Sequence, residues 1–122
     1  VSAAPLPGTV LHAVSATRGA YSDRSVWTVA VYVDRTLAEK HRALAQAEGE
    51  RRVKAFDESD FDYSILEAPN PYDNDNGGEN TSHSSEAPIY YVELLFVHTS
   101  IEAYATTEQV LLDYAREQGW VP

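Results

Sequence analysis

His12, His41, His83 and His98 are the side chains of this 122-residue chain that titrate nearest neutral pH. Imidazole there could move protons or hold a metal. His12 falls on an expected strand, on the same face as Val10 and Val14. His98 closes a second expected strand. Across one sheet the two could meet, and Glu93 or Glu102 beside them would complete a proton relay or a metal site. The opposing reading is two unrelated histidines, one at a strand edge and one at a strand end. The scatter of the four along the chain favours that reading. Asp73-Asn74-Asp75-Asn76-Gly77-Gly78 resembles part of a calcium loop. An EF-hand opening at Asp73 needs an oxygen ligand at its fifth position and Glu at its twelfth, where the chain has Gly77 and Ser84. Ser22-Asp23 reads as turn chemistry rather than as a nucleophile beside its orienting acid. No Gly-rich loop opens a helix, so no phosphate cradle is expected. With no cysteine, disulfides, thiolate metal sites and thiol catalysis are excluded. Asn80-Thr81-Ser82 fits the glycosylation triplet by chance. The chain reads as non-enzymatic, with no cofactor and no metal.

Charge separates the chain into two parts. Through Lys54 there are eight basic and five acidic residues, a net +3; beyond it there are fourteen acidic residues and only Arg116, a net −13. The acidic part repels nucleic acid, whose binding rests on Lys and Arg. It attracts basic protein surfaces. The plainest reading of the charge is solubility. The sharper one concerns Phe56 to Tyr63, where Asp57, Glu58, Asp60 and Asp62 interleave with Phe61 and Tyr63. Carboxylates spaced along a surface imitate phosphates, and the aromatic rings give a partner something apolar to grip. The expected partner-binding residues are therefore Asp57, Glu58, Asp60, Phe61, Asp62 and Tyr63. A competing reading uses Arg18, Tyr21, Asp23 and Arg24 in a hairpin to bind a small ligand or nucleotide. Arg51, Arg52 and Lys54 would extend that basic set.

These residues must be positioned by a single domain spanning 1–122, a length that buries a sufficient core. Val1 to Gly8 has neither the basic region nor the apolar core of a signal peptide, and its prolines predict an extended arm over 1–8. No apolar run approaches the roughly 20 residues that cross a bilayer. A cytoplasmic location is expected. Val10 to Thr17 reads as a strand. Ser25 to Val33 reads as a stronger one, with Trp27, Val29, Val31 and Val33 on one face. The short turn between them predicts an antiparallel hairpin. Asp34 or Thr36 caps a helix, and Thr36 to Glu39 fits a capping box. Leu37, Ala38, His41, Leu44 and Ala45 form its inner face, and Gly49 is its expected stop. Tyr63 to Glu67 reads as a third strand ended by Pro69 and Pro71. Residues 70–88 offer little to bury and predict a mobile acidic loop. Ile89 to His98, apolar on both faces, predicts a central strand or a homodimer interface. A last helix starts near Thr106 or Thr107, buries Val110, Leu111, Tyr114 and Ala115, and stops at Gly119. Trp120 and Val121 are expected to tuck back. The order ββαβ, loop, βα predicts an α+β fold, with about four mostly antiparallel strands and two helices packed on them.

Arg18-Gly19-Ala20-Tyr21-Ser22-Asp23, the strand ending Val31-Tyr32-Val33-Asp34 and the helix opening Leu37-Ala38-Glu39-Lys40 together resemble a group of small uncharacterised proteins of bacteria and their phages. In these a GxYSD hairpin precedes a strand and a helix with an Ala-Glu step. The resemblance covers a quarter to a third of the chain. It implies a ββαβ core and no activity, with the loop and the strand from Ile89 onward added to that core. A phage or bacterial source suits the Ala-, Arg-, Glu- and Val-rich composition. The expected function is a small interaction module, such as a phage accessory or anti-defence protein that binds a host protein.

Overall fold

Asp34 ends one element and starts the next. Its backbone is extended, and its side chain accepts a 2.8 Å hydrogen bond from the Thr36 N–H, which caps the long helix that follows. The structure, a computed structural model, describes residues 10–19, 24–68, 70–74, 87–98, 100–102 and 104–122. Its elements are β1 (Val10–Arg18), β2 (Ser25–Tyr32), α1 (Arg35–Glu58), α2 (Tyr63–Glu67), β3 (Ile89–Phe96) and α3 (Tyr104–Glu117). The class is α+β, with a three-stranded antiparallel sheet in the order β2-β1-β3. The backbone divides into two compact units: His12–Glu93, and Leu94–Pro122 with the start of the chain through Leu11.

Among the described residues, three strands and three helices stand against the expected four and two. Tyr63 to Glu67 is a helical turn, not a strand. Asp62 caps it through Ser64, and a local cap outweighs weak β propensity over five residues. The hairpin forms as expected: β1 and β2 pair antiparallel, from His12 opposite Tyr32 to Arg18 opposite Ser25.

The expected inner face of β2 does not survive intact. The register shifts between Val14 and Ser15, whose partners are Ala30 and Thr28, so Val29 is an extra residue. Such a bulge inverts the alternation beyond it. Trp27, Ala30 and Tyr32 pack on the core with Val29, while Val31 and Val33 are exposed. The central strand is β1, and the two-sided apolar strand β3 is an edge. Small side chains explain the exchange. Ala13, Val14, Ser15 and Ala16 are all at most 1% exposed, so β1 is buried on both faces. On β3 only Tyr90 is fully buried.

α1 runs through Gly49 to Glu58. A mid-helix glycine costs about 1 kcal/mol, too little to stop a helix that packing supports. Its buried stripe is Ala38, Ala45, Gly49 and Phe56, whereas Leu37 and Leu44 stay exposed. Small residues there let the backbone come close to Ala87, Pro88 and Tyr90, which lie 3.6–3.8 Å from where a Gly49 Cβ would sit. The core joins Val14, Ala16, Val29, Ala38, Ala45 and Tyr90.

Asn70 to Asn74, the described start of the expected mobile loop, is tied down at several points. Asn70 is buried and donates to the Ala45 carbonyl. The Tyr72 carbonyl accepts from His41 Nε2 at 2.7 Å. Asp73 accepts from Trp27 Nε1 at 3.0 Å and from the Tyr90 hydroxyl. The rest of that loop, and the arm over 1–8, lie outside the described residues apart from Ala87 and Pro88.

In the second unit, α3 starts at Tyr104, earlier than its threonines suggest, and ends at Gly119 with φ +78°. There the Trp120 N–H reaches the Ala115 carbonyl at 3.0 Å, a closure that glycine's left-handed backbone permits. The Trp120 ring then meets Tyr114 edge-on at 5.6 Å. Leu111 and Ala115 are fully buried, but Val110 is half exposed.

Candidate functional site

α1 ends against its own dipole. Asp57 and Glu58 occupy the last turn, where the backbone carbonyls already concentrate negative charge, and no basic residue offsets them there. The chain then reverses without glycine. The Ser59 N–H reaches the Ala55 and Phe56 carbonyls at 2.9 and 3.2 Å, and the Ser59 hydroxyl donates to the Phe56 carbonyl at 2.8 Å. Asp60 and Phe61 follow with φ of +64° and +70°. An aromatic residue in the left-handed region is strained by about 1–3 kcal/mol. The turn closes when the Asp62 N–H donates to Ser59 Oγ at 3.0 Å.

The reversal brings Phe61 and Tyr63 back onto Phe56, with ring centroids 5.4 and 5.0 Å away. Phe56 is buried, whereas Phe61 is 62% and Tyr63 46% exposed. Burying one phenylalanine is worth about 1.5–3 kcal/mol, so Phe56 anchors while its two neighbours present ring faces to water. Asp57, Glu58, Asp60 and Asp62 alternate with them in sequence and are all exposed. The Ser64 hydroxyl, followed by the Ser64 N–H, holds the Asp62 carboxyl below the usual carboxylate range. The six partner-binding residues expected from the sequence thus run from the last turn of α1, through the reversal at Asp60 to Asp62, to the first residue of α2.

The competing hairpin site is only partly visible. Arg18 ends β1, and Arg24 is exposed and donates to Thr17 Oγ1 at 3.2 Å. Tyr21 and Asp23 lie outside the described residues. Arg51 and Arg52 belong to α1 and have local partners. Arg51 pairs with Glu48 at 2.7 Å and lowers that carboxyl's pKa, and Arg52 donates to the Leu66 carbonyl.

Each described histidine has its own local surroundings. His12 is buried, and Arg35 Nη1 faces its Nδ1 at 3.4 Å. Burial first, then the Arg35 charge, holds His12 below its ordinary pKa of 6.5; Asp34 and Glu39 act weakly the other way. Glu93 accepts a 2.6 Å bond from Ser15. His41 donates Nε2–H to the Tyr72 carbonyl and accepts from the Tyr32 hydroxyl at 2.7 Å, a structural bridge. His83 is outside the described residues. Among the described residues no three His, Asp or Glu side chains could hold a metal.

One arrangement was illegible in the sequence. His98 Nε2 lies 2.9 Å from Glu108 Oε1, and the imidazole stacks on Tyr104 at 4.7 Å. Its Nδ1 is buried and has no hydrogen-bond partner among the described residues, at a cost of about 1–3 kcal/mol. No spacing rule joins His98 to Glu108 across a loop and into a helix.

Compared with protein-family models, curated proteins and solved structures, the chain matches none. Among the described residues no helix is long and apolar enough to cross a membrane.

Proposed function

We propose that this chain is a small, non-enzymatic protein-interaction module that grips a basic partner surface with the acidic and aromatic turn between α1 and α2. One observation carries the reading: Phe61 stands 62% exposed in a left-handed backbone, just past a helix end whose last turn holds Asp57 and Glu58 and no basic residue. Each of these choices opposes local stability, and such conflicts gather where function requires them. Phe61 and Tyr63 supply the desolvated contact that dominates binding energy. Asp57, Glu58, Asp60 and Asp62 steer the encounter and reject acidic surfaces. Nucleic acid is disfavoured by the same charges. A phage accessory or anti-defence protein acting on a host protein in the cytoplasm fits this chemistry, and a homodimer is compatible with it.

Affinity capture from the native host tests the reading. Two variants are compared with wild type: Asp57, Glu58, Asp60 and Asp62 changed together to Asn or Gln, and Phe61→Ala alone. The same partner should disappear from both, and its recovery by wild type should fall as salt is raised. Undiminished recovery by either variant defeats the proposal.

A further inference from the structure

We propose that the pocket lined by His98, Ser100, Ile101 and Tyr104 binds a small neutral aromatic molecule that carries one N–H or O–H donor. The pocket is an open depression of about 270 Å³, room for one or two fused rings. Its walls are apolar groups left in water: Ile101 is 89% and Tyr104 54% exposed. Its polar group is already oriented. Glu108 Oε1 accepts from His98 Nε2–H, so in the neutral ring Nδ1 is the lone-pair acceptor. That acceptor has no partner among the described residues. Buried polar atoms without partners are rare, and each calls for a reason. Here the reason is a vacant donor position beside an apolar pocket.

Tyr104 shows how the position is reached. Its ring lies on the imidazole at 4.7 Å with a 55° tilt. Tyr104 opens α3 and is half exposed, so it can turn outward without unpacking Leu111 or Ala115, which carry the buried face. A ligand that enters edge-on, in the plane of the imidazole, brings its donor to Nδ1 and its body against Ile101. Charge sets the remaining selectivity. Leu94 to Pro122 holds Glu102, Glu108, Asp113 and Glu117 against Arg116 alone, which disfavours an anionic ligand. The site shares no residue with the turn after α1, and each can fail without the other.

The test uses the full ¹⁵N-labelled chain, with the imidazole nitrogens read directly by long-range proton–nitrogen correlation. Indole and phenol are the donor probes; toluene and benzoate are the controls. Indole should shift His98 Nδ1 and the Ile101 methyl signals, with half-saturation in the low-millimolar range, roughly what a ligand of this size can reach. Toluene lacks the donor and benzoate carries the wrong charge, so both should bind at least about threefold more weakly. Ile101→Asp, a change at an exposed position, should keep the fold by circular dichroism and weaken indole about tenfold or more. No response at His98, an equal response to toluene, or unaltered binding by Ile101→Asp would each overturn the proposal.

Discussion

Trp27 donates its indole N–H to Asp73 across 3.0 Å, joining residues 46 apart in sequence. The other oxygen of that carboxylate takes the Tyr90 hydroxyl. One aspartate therefore ties the end of a loop to β2 and to β3. Hydrogen bonds to a charged group are worth about 1.5–3 kcal/mol each, so Asp73→Ala should lower unfolding free energy by about 2–4 kcal/mol. Asp73→Asn keeps one acceptor and should lose about half as much. Urea melts followed by Trp fluorescence check both, and a loss below about 0.5 kcal/mol for Asp73→Ala would remove the clamp from the account.

His12 makes stability depend on pH in a definite direction. Its folded pKa is depressed below 6.5 by burial and Arg35. Above 6.5 it is neutral in both folded and unfolded chains and adds no slope. As pH falls below 6.5 the unfolded chain takes up a proton that the folded chain refuses, so stability declines until the folded His12 also titrates. His12→Asn retains an acceptor for Arg35 and should flatten that part of the curve. Urea midpoints at several pH values between 7.5 and 5 compare the two. Parallel curves would show that His12 is not responsible.

Gly49 is buried within α1, yet a Cβ added there would meet Ala87, Pro88 and Tyr90 at ordinary van der Waals distance, 3.6–3.8 Å. Gly49→Ala should stabilise by about 0.5–1 kcal/mol through helix propensity and a less flexible unfolded chain. Gly49→Leu should destabilise, because its longer side chain must displace Pro88. Thermal melts decide, and a lower melting temperature for the alanine variant would contradict the packing described.

The turn after α1 should trade stability for binding. Asp57→Lys and Glu58→Lys place positive charge at the negative end of the helix and should each add about 0.3–1 kcal/mol. Asp60→Gly relieves a left-handed backbone and should add about 0.5–1 kcal/mol. The same lysine substitutions should weaken partner capture. Gains in melting temperature with undiminished capture would separate the strain from the function.

The hairpin, the presence of both long helices and Asp34 as one of two candidate caps were legible in the sequence because they rest on local rules: period-two alternation, period-3.6 burial and side-chain capping within a few residues. The six residues of the acidic and aromatic segment lie close together for a related reason, since they fall within seven consecutive positions of the chain. Other features depended on partners distant in sequence. Val31 faces water because the bulge opposite Val14 and Ser15 resets the alternation, and no residue of β2 announces it. Gly49 continues a helix rather than ending one because α1 packs through that point, with Ala87, Pro88 and Tyr90 within van der Waals reach of a Cβ there. Tyr63 to Glu67 turns helical on the strength of Asp62's cap, while β3 is left at the sheet's edge because β1's small side chains suit the centre. Local propensities differ by less than a kilocalorie or so per residue. Burial and long-range hydrogen bonds exceed that, so wherever the two disagreed the tertiary contacts decided.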